Sequence, residues 1–290
     1  MIRKMVCAGI AALILGSVST AQADSAVWQV SNDRHTLYLG GTIHALRASD
    51  YPLPAAFDQA YGQSKLVIFE TDLARLALPE TQIMMQQALR YPQGDSLKRY
   101  ISEPLYKKLL ARWQSMGLPP QLLESFRPGG IAMTMTMMEL RRIGVTAPGI
   151  DEFFHQLAVT DSKPVAGLES VEAQVGFLAE MGEGDEIAFL EGSLEELDQS
   201  QIYMDELIRA WRTGDQADLE RLIIKDMRNE LPTLYRALIV QRNNDWLPQI
   251  RNMLRTPETE LVLVGSGHLV GTDGLLHKLE KLGYRIKQLP

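Results

Sequence analysis

Short apolar runs in this chain alternate with long tracts of helical period. Residues 27–30 (Val-Trp-Gln-Val) read as a strand and 31–34 as a turn. A second strand covers 36–44 and closes on Gly40-Gly41-Thr42-Ile43-His44, so a β-hairpin is expected. A short amphipathic helix is expected around 55–62. Residues 65–70 form a continuous apolar run closing on Glu70, the pattern of a strand buried on both faces. Residues 79–142 read as mostly helical: Leu105, Leu109, Trp113 and Met116 recur at helical spacing, and Ser102 with Pro104 has the form of a helix start. Met133, Met135, Met137 and Met138 crowd one helix; core packing is the favoured reading, an adaptable peptide-binding surface the alternative. Residues 163–169 are another short strand. Helices are expected from about 170 to 254, with Gly214 as a stop and Asp215 as a new start. The chain then runs strand (260–264), Gly-rich turn (265–268), a helix carrying Leu275, Leu276, Leu279 and Leu282, and a last strand over 284–289. This order predicts an α/β fold, a mixed central β-sheet with flanking helices and a large helical insertion.

Composition narrows the picture. Residues 1–23 begin with Arg3 and Lys4, continue apolar to Val18 and end in Ala21-Gln22-Ala23, the pattern of a secretory signal peptide with its cleavage site. The apolar stretch is short for a membrane span, and no later stretch is long and apolar enough for one. A periplasmic or secreted protein of residues 24–290 is therefore expected, organised as a single α/β domain, with no stable membrane insertion after cleavage. Cys7 is the only cysteine and lies in the leader, so disulfides and thiolate chemistry are excluded from the mature chain. Loss of Arg3 and Lys4 takes the net charge from −7 to −9. Such an acidic chain is a poor partner for nucleic acid. A peptide or small-molecule substrate suits it better.

Four apolar runs stop at a residue able to bind metal or move protons: 37–43 at His44, 66–69 at Glu70, 164–168 at Glu169, and 261–264, through Gly265-Ser266-Gly267, at His268. In open α/β sheets ligands bind beyond the carboxyl ends of the strands, so parallel neighbours would bring the four side chains into one pocket. Imidazole and carboxylate suit a divalent metal such as Mn, Co or Zn. Two His and one Glu leave a position for water, and a second Glu can serve as general base. The glycines ahead of each His allow sharp bends and close approach. His155, four residues after Asp151, offers a weaker metal pair; His35 reads as a turn residue and His277 as a solvated one. Neither a Gly-x-Ser-x-Gly elbow nor a phosphate-binding or dinucleotide fingerprint is present.

Gly41-Thr42-Ile43-His44, Phe69-Glu70, Gly149-Ile150-Asp151, Gly167-Leu168-Glu169 and Gly265-Ser266-Gly267-His268, in this order and over nearly the whole mature chain, resemble the TraB/PrgY/GumN family. That family includes the Tiki metalloproteases and is more distantly related to erythromycin esterases and haem-binding ChaN-like proteins. The resemblance implies a mixed α/β fold with His44, Glu70 and His268 as metal or catalytic set, supported by Glu169 and by Arg242 in a late helix carrying an Arg-Asn pair. Arg242 is open to two roles, stabilising an oxyanion or pairing with a carboxylate. Asp151 is likewise open between helix N-cap and site group. Three functions follow as expectations: a metal-dependent peptidase or amide hydrolase, a metal-free esterase-like hydrolase with His44 as general base, and a haem- or peptide-binding protein without turnover.

Overall fold

The structure is a computed structural model that describes residues 24–290; the expected signal peptide, residues 1–23, lies outside the described residues. Among the described residues eight strands form: β1 (Val27–Ser31), β2 (Thr36–Thr42), β3 (Ala45–Leu46), β4 (Leu66–Phe69), β5 (Ala147–Pro148), β6 (Val165–Gly167), β7 (Glu260–Gly265) and β8 (Arg285–Gln288). Six of them make one mixed sheet in the order β6-β4-β7-β2-β1-β8. The run β6-β4-β7-β2 is parallel throughout, whereas β1 pairs antiparallel with both β2 and β8.

The hairpin closes because Asn32 Oδ1 accepts the backbone N–H groups of Arg34 and His35, a local turn that sets the β1–β2 register. The innermost strands β2, β4 and β7 are apolar runs with no polar alternation because helices cover both faces. Phe57 from the helix Ala55–Gln63, Phe154 from Ile150–Thr160, Trp211 from Glu186–Thr213 and Trp246 from Arg242–Met253 are all buried in the core built on this sheet.

The helical insertion has its own apolar centre, in which Leu105, Leu109, Trp113, Ile131, Met135 and Leu190 pack together. Ser102 caps the helix Glu103–Ser115, accepting the N–H of Leu105. Met135 is fully buried while Met137 stands exposed, so the methionines divide between core and surface instead of forming one stripe. Gly214 ends the longest helix at φ +58°, and Asp215 then caps the next one through the N–H groups of Ala217 and Asp218. The two-residue strands β3 and β5 were not expected from sequence. They pair Ala45 with Pro148 and Leu46 with Ala147, tying the segment after His44 to the one before Asp151.

Candidate active site

Parallel pairing places the carboxyl ends of β2, β4, β6 and β7 on one edge of the sheet. Thr42 is in register with Gly265 on β7, so the loops to His44 and His268 leave adjacent strands side by side. Beyond the ends of β4 and β6 the Glu169 N–H still donates to the Glu70 carbonyl at 2.9 Å, which sets the two glutamates abreast. The four residues expected to converge do so, with Arg242 among them.

Arg242 is the hub. Its Nη2 donates to Glu70 Oε2 at 2.6 Å and to Glu169 Oε1 at 2.7 Å, its Nε to Glu169 Oε2 at 3.0 Å, and its Nη1 to His268 Nε2 at 3.1 Å. The guanidinium also lies over the Trp246 ring at 4.6 Å. Of the two roles expected for Arg242, pairing with carboxylates is the one the geometry contains. The segment leading into it, Arg236–Gln241, is wound as a π-helix, a deviation frequent at functional sites.

Hydrogen bonding fixes the protonation of His268. A guanidinium has only donors, so Nε2 accepts and Nδ1 carries the proton, which it donates to Asn243 Oδ1 at 2.8 Å. Asn243 is oriented in turn because its Nδ2 donates to the carbonyls of His268 and Asp273. Burial lowers the His268 pKa to about 3 against the pull of Glu70, so the imidazole is neutral. Burial pushes the Glu70 carboxyl up, but the neighbouring His268, Arg242 and His44 and the N–H of Gly265, 2.7 Å from Oε1, outweigh it and hold Glu70 at about 2. For Glu169 burial prevails over the Arg242 hydrogen bond and its pKa is raised.

His44 is the accessible member, its side chain 72% exposed. Asp151 Oδ2 lies 2.9 Å from its Nδ1 and raises its pKa to about 9. Asp151 is therefore the partner of His44 and not the N-cap of its helix, a position held by Gly149. The glycine is needed sterically: a Cβ at Gly149 would stand 2.2 Å from the backbone of His44. His155 does not join this pair. Its Nε2 is buried without a hydrogen-bond partner and its ring packs against Phe69.

The centre of the arrangement is a space above Gly265. A Cβ placed there would stand 3.3 Å from Glu70 Oε1, 3.7 Å from His268 Cδ2 and 3.9 Å from His44 Nε2. Both imidazoles have Nδ1 tied to a side-chain oxygen, the arrangement that outer partners impose on metal-ligating histidines; His44 Nε2 is left toward this space, whereas His268 Nε2 accepts from Arg242. In donor chemistry the set fits a divalent metal. As they stand, no three His, Cys, Asp or Glu side chains among the described residues form a ready ligand group. The Arg242 N–H on His268 Nε2 is the contact that would have to open.

A model of the TraB/PrgY/gumN family matches residues 26–288. The chain belongs to this family. Among its TraB-family relatives is the "Uncharacterized protein YbaP" of Escherichia coli (strain K12), 26% identical over 244 residues, which cover 84% of this chain and 87% of the relative. YbaP of Shigella flexneri matches to the same extent. The human "Metalloprotease TIKI1" is 24% identical over 93% of this chain, which spans 63% of the human protein. Among the described residues of this TraB-family chain no helix is long and apolar enough to cross a membrane. In the sequence the role of Asp151 is undecided, and Asn243 stands out only as part of an Arg-Asn pair. Their roles depend on partners far along the chain and have no local signal beyond the Gly-Ile-Asp and Arg-Asn pairings.

Proposed function

We propose that this chain is an exported, metal-assisted hydrolase of amide bonds, a peptidase of the periplasm or the medium. In this reading His44, Glu70 and His268 are the metal set, and Glu169 and Arg242 support it. The observation that carries the reading is the convergence of Glu70 Oε1 and the two imidazoles on the space over Gly265. The human relative's description as a metalloprotease and the leader-like residues 1–23 are consistent with it. A divalent metal held there would supply a Lewis acid that makes water a nucleophile near neutral pH. The protein's own contribution is positional. Asn243 and Asp151 aim the imidazoles, and Arg242 holds both glutamates in place. Glu169, with its raised pKa, is suited to take and return a proton. The exposed His44 borders the approach to the site, so a substrate backbone arrives from that side.

A second reading has one observation in its favour. Arg242 already occupies His268 Nε2, and His44 with Asp151 forms a His–carboxylate pair that needs no metal. With its pKa raised to about 9, His44 is protonated near neutrality and would act as a general acid, in place of the general-base role expected from the sequence.

The test is metal content and hydrolysis of a peptide library by mature protein purified without chelator or His tag, beside His44→Ala and His268→Ala. Bound Mn, Co or Zn and cleavage, both lost in the two folded variants, support the first reading. Cleavage that persists in strong chelator supports the second. A wild type that neither holds metal nor cleaves any peptide refutes both.

A further inference from the structure

The two elements that deliver Glu169 and Arg242 also build a cavity. After β6 the helix Val171–Glu180 starts on the Ser170 cap and carries Phe177 and, at its end, Glu180. The helical segments Pro232–Tyr235 and Arg236–Gln241 carry Leu234 and Leu238 into Arg242. Between them lies a cavity of about 220 Å³ lined by Phe177, Leu231, Leu234 and Leu238, with Glu180, Glu183 and Asp185 also on its wall. Drug-sized ligands need roughly 300 Å³ or more, so the space suits one side chain. Phe177 joins it to the site: the Arg242 guanidinium lies 5.5 Å from that ring, and Leu238 is four residues before Arg242.

We infer that this cavity is the subsite for a lysine or arginine side chain of the peptide substrate, placed next to the scissile bond. The inference rests on the hydrolase reading above and names its substrate class. The apolar part of the wall suits the aliphatic stem of such a side chain, and the carboxylates on it suit the head. Of the three carboxylates, Glu183 pairs with Arg127 at 3.5 Å and Asp185 sits at the N-terminus of the helix Glu186–Thr213, which offsets part of its charge. Glu180 is exposed and has no ion-pair or side-chain hydrogen-bond partner among the described residues. It also stands at the C-terminal end of its own helix, where carbonyl groups favour a cation. An acidic side chain would meet this wall with like charge.

The experiment uses mature, metal-loaded protein and quenched peptides that differ only in carrying Lys, Arg, norleucine or Glu at one position, scanned across the cleavage site. Fluorescein-labelled copies, with metal withheld, report binding by polarisation. Wild type should cleave the Lys or Arg peptide over norleucine by about fivefold at one position, the scale of a partly exposed ion pair. Glu180→Lys should erase that preference and leave norleucine cleavage within about twofold, and Leu234→Trp should slow all large residues there. Cleavage without basic preference, or a preference that Glu180→Lys does not change, overturns the subsite and leaves the hydrolase reading intact. If nothing is cleaved, tighter binding of the Lys peptide that Glu180→Lys abolishes upholds the cavity as a site for a basic side chain and overturns its place beside a scissile bond together with the hydrolase reading. Equal binding of Lys and norleucine peptides overturns the subsite.

Discussion

Gly265→Ala is the smallest change that tests the site without dismantling it. Gly265 has φ −49° and ψ 136°, a conformation open to alanine, so backbone strain does not enter. The narrower range of unfolded conformations available to alanine favours folding by about 0.4–1 kcal/mol. The new methyl meets Glu70 Oε1 at 3.3 Å, a tight contact that takes back part of this gain, and His268 Cδ2 and His44 Nε2 at ordinary contact distances of 3.7 and 3.9 Å. The variant should therefore unfold within about 1 kcal/mol of wild type. The methyl nevertheless fills the volume on which the three donors converge. Metal–nitrogen and metal–oxygen bonds are only about 2.0–2.2 Å long, so an ion and the methyl compete for one space. A displacement on the order of 1 Å at a reacting centre costs about a hundredfold in rate, and a loss of at least that size is expected. Chemical denaturation gives the stability, calorimetric titration with Mn, Co and Zn gives the affinity, and peptide hydrolysis gives the rate. A folded Gly265→Ala variant that binds metal and cleaves peptides within about threefold of wild type would refute the placement of the centre over Gly265.

Three further outcomes are expected. Arg242→Met leaves Glu70 and Glu169 buried without their cation and should destabilise the fold by about 3–5 kcal/mol, read as a shift of the urea midpoint. Asn243→Ala removes the acceptor of His268 Nδ1 and the donor to two carbonyls; it should cost about 2 kcal/mol, and the ring ¹⁵N shifts of His268 should show mixed tautomers where wild type shows one. Glu260 is buried at the start of β7 with Oε2 unpartnered, and burial raises its pKa from 4.5 to about 6. A carboxyl raised in this way favours folding below 4.5 and loses that contribution as pH rises through about 6. Glu260→Gln should therefore stabilise the protein by about 2 kcal/mol at pH 8 and by much less at pH 4, measured as paired denaturation curves.

The elements legible in the sequence were those whose signal is local. The hairpin could be read from Asn32 and its flanking apolar runs, the helix at Glu103–Ser115 from Ser102, and the helix stop at Gly214 from the glycine itself. The convergence of the four strand ends carrying His44, Glu70, Glu169 and His268 could be read because parallel strands share one carboxyl edge. Strand order was not legible: apolar runs 66–69 and 261–264 look alike, and only packing decides that β7 lies between β4 and β2. Side chains that act through distant partners were hidden for the same reason. Asp151 has the place of an ordinary first-turn acid until the β3–β5 pairing brings it to His44. Asn243 is one more polar residue in a helix until His268 turns its Nδ1 to it.

The pairing of β2 with β7 also governs when the candidate site can be complete. It joins residues 42 and 265, so nearly the whole polypeptide is the loop that this single contact closes, an entropic cost met only once. Folding that depends on so remote a pairing is slow by topology. A chain interrupted before residue 260 keeps His44, Glu70, Glu169 and Arg242 but lacks both the strand between β2 and β4 and the second imidazole, so it cannot complete the site. The assembled site therefore cannot appear on a nascent or truncated chain. It forms only once β7 has entered the sheet between β4 and β2 and carried His268 to the edge where the other side chains stand.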